Sequence, residues 1–422
     1  MQIPKAVAEH TERTCAYLRR TSPKLAQLYG NCYPNTICSA VQKLDDGSLF
    51  VLTGDIPAMW LRDSSAQVNH YIPLAEDHQV AEIIRAVLET QFRFIMTDPY
   101  ANAFNSAANG HGHTDDVPRN LPWVFERKYE IDSLCYPLRL CYRYWKATGD
   151  RSVIDGHLAE VMEQILQVWS TEQHHMEKSG YRFTRTGCPY QDTLHNGGMG
   201  NPVAYTGMTW SGFRPSDDAC TYGYLIPSNM FAVVVLGYAA EMLGNHHPLT
   251  EKILALREQI DRGIREYGIV DHPKYGKVYA CEVDGQGRYL LMDDANIPSL
   301  ISQPYLGYTD LRDPVYCRTR KMLLSSDNPY YYEGTCAKGI GSPHTPPRYI
   351  WHLALSMQGL TSGNPEEMRQ ILHMLETCDG GTGFMHEGFF ADNPCDYTRE
   401  WFTWSDSLFC EFVDRCIAEK IL

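Results

Sequence analysis

The chain has 422 residues, 44% of them hydrophobic and 12% aromatic, enough apolar side chain to bury a large core in one big domain or two to three ordinary ones. Lys and Arg number 37 against 51 Asp and Glu, a net charge of −14 that repels phosphate backbones and anionic membranes and excludes nucleic acid as a partner. The opening MQIPKAVAEHTERTCAYLRR lacks the basic-then-apolar pattern of a secretory signal, and no run reaches about 18 apolar residues, so no membrane association is expected and the cytoplasm is the expected location.

In chain order, helical spacing of apolar residues predicts about twelve helices. They begin with 4–20 and 63–75, then a stripe of Val80, Ile83, Ile84, Val87 and Leu88, then 129–147. Ile154, Leu158, Val161, Ile165 and Val168 make the next stripe, followed by 223–243 and by Leu249, Ile253, Leu256, Ile260 and Ile264. The series closes with 294–303, 309–325, 346–361, 364–378 and 398–419. Asn364-Pro365-Glu366-Glu367 has the order of a helix start: Asn as cap, Pro at the first position, an acid at the third. Strands are minor: Lys277 to Val283 and Arg288 to Met292 read as a hairpin across Asp284-Gly285-Gln286-Gly287, with a further short strand over Leu49 to Thr53. No Pro/Ser-rich linker interrupts the set, so residues 1–422 are expected to form a single domain, and no obligate protein partner is expected. Roughly six helical hairpins with minor β-hairpins fit an all-α toroid, its ring closure being an inference beyond periodicity. The loops 98–128 and 177–217 are long and rich in Gly, Asn, Thr, His, Trp and Asp, as functional loops are.

The chemistry concentrates at helix starts and loops. Trp60, Arg62 and Asp63 bring together a flat apolar face, a fork of donors and a carboxylate, which suit the C–H face and hydroxyl rim of a sugar ring. The competing reading is a helix cap with Trp60 in the core. Asp217-Asp218 follows Phe213-Arg214-Pro215 ahead of an apolar helix; one carboxylate of such a doublet can cap or pair with Arg214 while the other has its pKa raised. Glu387 stands among Phe384, Met385 and Phe389, where an acid is costly unless paired or functional; Glu400 is its rival, explained equally by a pair with Arg399. Asp293-Asp294 reads as a cap or hydroxyl binder, and Trp123, Trp210 and Trp404 as core or sugar platforms. The 14 cysteines are scattered with no C-x-x-C pair and read as buried thiols; His111, His113 and the His174-His175 pair lack partners at ligand spacing, so no metal and no cofactor is expected.

Five motifs in order resemble glycoside hydrolase family 125, a family of exo-α-1,6-mannosidases: GDIPAMWLRDSSAQVNHY (54–71), WVFERKYEIDSLCYP (123–137), GMTWSGFRPSDDA (207–219), LLMDDANIPSLISQPYLGY (290–308), and GFMHEGF (383–389) with YTREWFTWSDSLF (397–409). The resemblance covers nearly the whole chain. It implies an (α/α)6 barrel, an inverting mechanism, no required metal and a mannose-containing oligosaccharide as substrate. It places the general acid in the doublet, at Asp218 with Asp217 as the fallback, and the general base at Glu387. Substrate contacts are expected from Trp60, Arg62, Asp63, Glu130, Asp132, Asn296, Arg399 and Trp401. Two other readings stand beside it: a toroid enzyme acting on a different linkage or by phosphorolysis, which would need an anion pocket in place of the second carboxylate, and a glycan-binding protein without catalysis, which could lose either acid.

Overall fold

In the computed structural model, which describes residues 1–422, the helices are of two kinds. One kind buries a single stripe: His78–Thr97, Ala159–Glu172, Thr250–Tyr267, Pro314–Leu323 and Pro365–Thr377. In Thr250–Tyr267 that stripe is Ile253, Leu256, Ile260 and Ile264, the spacing read from sequence. The other kind is buried nearly all round: Leu61–Asn69, Ile131–Thr148, Ile226–Leu243, His352–Leu360 and Thr403–Ala418. Leu61–Asn69 packs on Ile131–Thr148, which packs on Ile226–Leu243, which touches the short helix Gln303–Leu306. Thr403–Ala418 packs on both His352–Leu360 and Leu61–Asn69, returning the chain's end to its beginning. Ile226–Leu243 is long and apolar enough to cross a membrane, contrary to the reading that no such segment exists; most of its residues lie in the core. That core joins 113 buried residues from Val7 to Cys416.

Leu61–Asn69 is polar in composition yet every residue is buried, so its polar groups must be satisfied internally. Ser64 and Ser65 donate to the carbonyls of Trp60 and Leu61 at 2.6 and 2.9 Å, and Gln91 Nε2 donates to both hydroxyls at 2.8 Å.

Three of the buried helices begin in one repeated way. A strand leads directly into the helix and pairs antiparallel with a strand that follows the next one-faced helix: Met59–Trp60 with Ala103–Phe104, Tyr224–Leu225 with Glu282–Val283, and Tyr349–Trp351 with Gly388–Phe390. In each unit the first helical N–H, which no intrahelical carbonyl can satisfy, donates to the carbonyl just ahead of the second strand. The pairs are Leu61 to Asn102 (3.1 Å), Ile226 to Cys281 (2.8 Å) and His352 to Glu387 (3.2 Å). Asn102, Cys281 and Glu387 therefore occupy equivalent places.

Four expectations change. Residues 294–303 form turns, because the Asp293 carboxylate accepts from Leu300 and Ile301 N–H at 2.8 and 3.0 Å; only Gln303–Leu306 is helical. Residues 346–361 open as strand Tyr349–Trp351 before helix His352–Leu360. Pro23–Cys32 is an additional helix, capped by Ser22, whose hydroxyl accepts from Leu25 N–H at 3.0 Å. The expected hairpin splits: Glu282–Val283 pairs with Tyr289–Leu290, whereas Gly276–Tyr279 pairs with Ile269–His272. Trp210 and Trp404 are core residues, and half-buried Trp123 lies under the Arg93 guanidinium.

Candidate active site

The starts of the buried helices converge on a cluster of charged side chains, where their N-terminal dipole ends favour carboxylates. Arg62, in the first turn of Leu61–Asn69, is only 2% exposed, and burying a guanidinium is tolerable only if it is paired. Its Nη1 donates to Glu130 Oε2 at 2.5 Å and Asp132 Oδ2 at 3.3 Å, and Nε lies 3.4 Å from Asp63 Oδ2. Glu130 and Asp132 come from the start of Ile131–Thr148. Burial pushes both of their pKa values up against the pull of Arg62. Asp63 is pushed up to about 6 by burial, opposed by Arg62 and Arg399.

The Asp217-Asp218 doublet sits in a tight turn, closed by Asp217 N–H on the Arg214 carbonyl (2.9 Å) and Arg214 N–H on the Asp218 carbonyl (2.8 Å). Asp217 has φ of 70°, the left-handed region that an aspartate adopts at some cost. Lys128 Nζ holds the strained residue by donating to its carbonyl at 2.9 Å, and Asn102 Nδ2 donates to its Oδ1 at 3.1 Å. Arg214 does not pair with the doublet; it binds Glu282 at 2.5 Å. Although burial raises the Asp217 pKa, the Lys128, Arg62 and His344 charges outweigh it and hold the carboxyl below its usual value.

Asp218 Oδ1 accepts from His344 Nδ1 at 3.0 Å, while its buried Oδ2 has no protein partner. His344 reaches the rim, with 36% of its side chain exposed. Burial opposes its protonation, but the hydrogen bond to Asp218 and the Glu387 and Asp217 carboxylates raise its pKa to about 9. Glu387, 7% exposed, lies 3.9 Å from Arg399 Nη1. Burial raises its pKa, against the Arg399 and His344 charges. Arg399, at φ 51°, donates from Nε and Nη2 to Asp55 Oδ1 at 2.8 and 2.5 Å.

Trp60, Arg62, Asp63, Asn296, Glu387 and Arg399 line one cavity together with Asp217, His344, Trp351 and Phe402. It is narrow, about 30 Å³, and its walls carry polar atoms with no hydrogen-bond partner: Trp60 Nε1, and Arg62 Nε and Asp63 Oδ2, which face each other only as an ion pair. Such atoms are costly unless a ligand satisfies them. Asn296 Nδ2 donates to the Pro215 carbonyl at 2.7 Å and so braces the doublet turn. Asp218 lies in the wall of an adjoining cavity of about 390 Å³.

Three expected contacts change place. Glu130 and Asp132 stand behind Arg62 and fix it, rather than lining the cavity. Trp401 points away: its Nε1 donates to Ser39 at 3.2 Å in a separate surface cavity that it shares with exposed Glu400. Arg399 pairs with Asp55 rather than with Glu400. The sequence reading missed His344, Asn102 and Lys128. His344 carries no spacing signal, yet it stands eight residues ahead of helix His352–Leu360, as Asp218 stands eight ahead of Ile226–Leu243.

An indole, a buried guanidinium and several carboxylates around a narrow cavity between helix starts define a carbohydrate-processing site. Residues 22–414 match the family described as metal-independent alpha-mannosidase (GH125), and the chain belongs to that family. It is 42% identical over 421 residues to the meiotically up-regulated gene 157 protein of Schizosaccharomyces pombe, covering 94% of this chain and 83% of that protein. A solved Streptococcus pneumoniae structure, a metal-independent alpha-mannosidase in non-productive substrate complex with alpha-1,6-mannobiose, superposes with a TM-score of 0.95 and 46% identity, covering 99% of this chain and 100% of that one. A Saccharomycopsis fibuligera glucoamylase shares the fold, with a TM-score of 0.56 at 12% identity over 98% of this chain and 96% of that one.

Proposed function

We propose that this α-mannosidase is an exo-acting, inverting enzyme that releases terminal mannose from the non-reducing end of α-1,6-linked mannosides such as N-glycan-derived oligosaccharides. We propose further that residues 1–422 form one catalytic domain, a closed (α/α)6 barrel. Family membership, the α-1,6-mannobiose bound by the similar pneumococcal enzyme, and the packing of the last buried helix onto the first support this reading.

An inverting glycosidase needs one carboxyl to protonate the leaving oxygen and one carboxylate to activate water on the opposite ring face. Asp218 is the acid. Its Oδ2 is buried and without a protein partner while its Oδ1 accepts from His344, whereas the Lys128, Arg62 and His344 charges favour the ionised form of Asp217, which suits it less to give a proton. Glu387 is the base. As the C1–O bond breaks, the proton passes from Asp218 to the glycosidic oxygen; water bonds to C1 from the other face and gives its proton to Glu387. Trp60, Arg62, Asp63 and Asn296 surround the terminal ring, Glu130 and Asp132 hold Arg62 in place, and Arg399 tunes Glu387. The observation that carries this assignment is the unpartnered Asp218 Oδ2 across His344 from buried Glu387.

Purified protein offered α-1,2-, α-1,3- and α-1,6-mannobiose should release mannose from the last alone. Proton NMR begun at mixing should show β-mannose first, with the α-anomer growing in by mutarotation; α-mannose at the outset would mean retention and refute the roles given to the two acids. Asp218→Asn and Glu387→Gln should each lower kcat by about 10²-fold or more with the circular dichroism spectrum unchanged. Loss on Asp217→Asn with Asp218→Asn active would move the acid to Asp217.

A further inference from the structure

We propose that the enzyme has a second leaving-group subsite, built on Tyr190, that binds the hexose one position beyond the mannose leaving from Asp218. This rests on the mannosidase reading above and goes beyond a two-sugar substrate.

The acid must touch the glycosidic oxygen, so the aglycone lies on the side of Asp218 away from the narrow cavity. Asp218 is absent from the lining of the narrow cavity and stands in the wall of the cavity of about 390 Å³, within the roughly 300–1,000 Å³ range of small-ligand sites. Tyr190 forms its outer wall and is 78% exposed, more than any other large apolar side chain of the protein. A tyrosine left so open has nothing in the fold to cover it.

The ring is nonetheless fixed. It stacks on His195, with centroids 4.1 Å apart and planes at 29°. Its short 3-10 turn, Tyr190–Asp192, is anchored through Asp192 to Lys128 and, at 3.1 Å, to Arg185. Ala219 N–H donates to the Gln191 carbonyl at 2.7 Å, tying the residue after Tyr190 to the residue after Asp218. The platform and the acid are therefore held in one frame, so a bound ring pays little ordering entropy. Tyr330 stands in the same cavity, and Asn201, whose Nδ2 is spent on the Thr221 carbonyl at 2.8 Å, keeps its side-chain oxygen for a hydroxyl. An exposed aromatic face, a polar wall and a fixed distance from the acid match a pyranose's C–H face and hydroxyl edge.

Initial rates on α-1,6-mannobiose and on linear α-1,6-mannotriose test the proposal, with wild type, Tyr190→Ala and Tyr190→Phe. Because aromatic contacts of this kind are worth a few-fold to about tenfold in affinity, wild type should favour the trisaccharide in kcat/KM by about fivefold. Tyr190→Ala should bring the trisaccharide-to-disaccharide ratio near one, and Tyr190→Phe, which keeps the ring face, should retain it. Equal kcat/KM for the two sugars in wild type, or an unchanged ratio in Tyr190→Ala, would overturn the subsite while leaving the α-1,6-mannosidase standing. Failure of the folded wild type to cleave either sugar would overturn both.

Discussion

His344 faces both proposed catalytic carboxyls, bonded to Asp218 and close enough to Glu387 to depress its pKa. The sign of its removal follows. Glu387 acts as base only when ionised, burial already lifts its pKa above the ordinary carboxylate value, and the imidazolium counteracts part of that lift. His344→Gln should therefore move the acid limb of the kcat profile to higher pH and lower kcat more than it raises KM. A fall in rate with the limb unmoved would show that His344 only shapes the loop. At this scale the sequence revealed residues through composition and motif. Arg62, Asp63, Asn296, Arg399 and Glu387 do share one cavity. It could not give direction: Arg399 and Trp401 are neighbours in one motif, but the left-handed turn at Arg399 sends the guanidinium inward and the indole outward. Nor did it give His344, a lone histidine in a proline-rich loop with no periodicity to mark it.

Among the helices, legibility followed burial. Helices such as Thr250–Tyr267 write their one buried stripe into the sequence, so they were read nearly to their ends. Leu61–Asn69 shows no such contrast, being buried on every side, so apolar spacing placed a helix over 63–75 but missed its first turn, and the motif rather than the stripe marked its functional residues. Residues 294–303 misled because apolar spacing there is served by turns that Asp293 caps. The cap at Asn364 was legible and is present, its side chain accepting from Glu366 N–H at 2.9 Å. Asn364→Ala should cost about 1 kcal/mol of stability, measured by denaturant unfolding, with kcat and KM within error of wild type, since this helix lies outside the cavity. A larger loss of activity than of stability would mean that helix ends communicate with the site.

For the whole molecule, the repeated strand-to-helix unit explains how one chain aims distant residues at one place: Asn102 and Glu387, at matching positions of two units, both present side chains to the charged cluster. That repeat was not legible, because it resides in pairings of two or three residues with no shared sequence. Its completion depends on a seam between the ends of the chain. Gly54, at φ 131°, lies so close to residue 401 that a Cβ would stand 2.1 Å from the Trp401 carbonyl oxygen. Next to it, Asp55 N–H donates to that carbonyl at 3.2 Å, and Arg399 clasps Asp55 across 344 residues of sequence.

Contacts of that span carry a high loop-closure cost and form late. On refolding from denaturant, far-UV circular dichroism should therefore recover ahead of mannosidase activity, and simultaneous recovery would place the seam early. The same seam governs the chain as it leaves the ribosome. Arg62 and its carboxylates are synthesised well before Glu387, Arg399 and the helix that returns to Leu61–Asn69. A chain cut ahead of Glu387 would then lack the proposed base, and hydrolysis is expected only once the seam between residues 54–55 and 399–401 has closed.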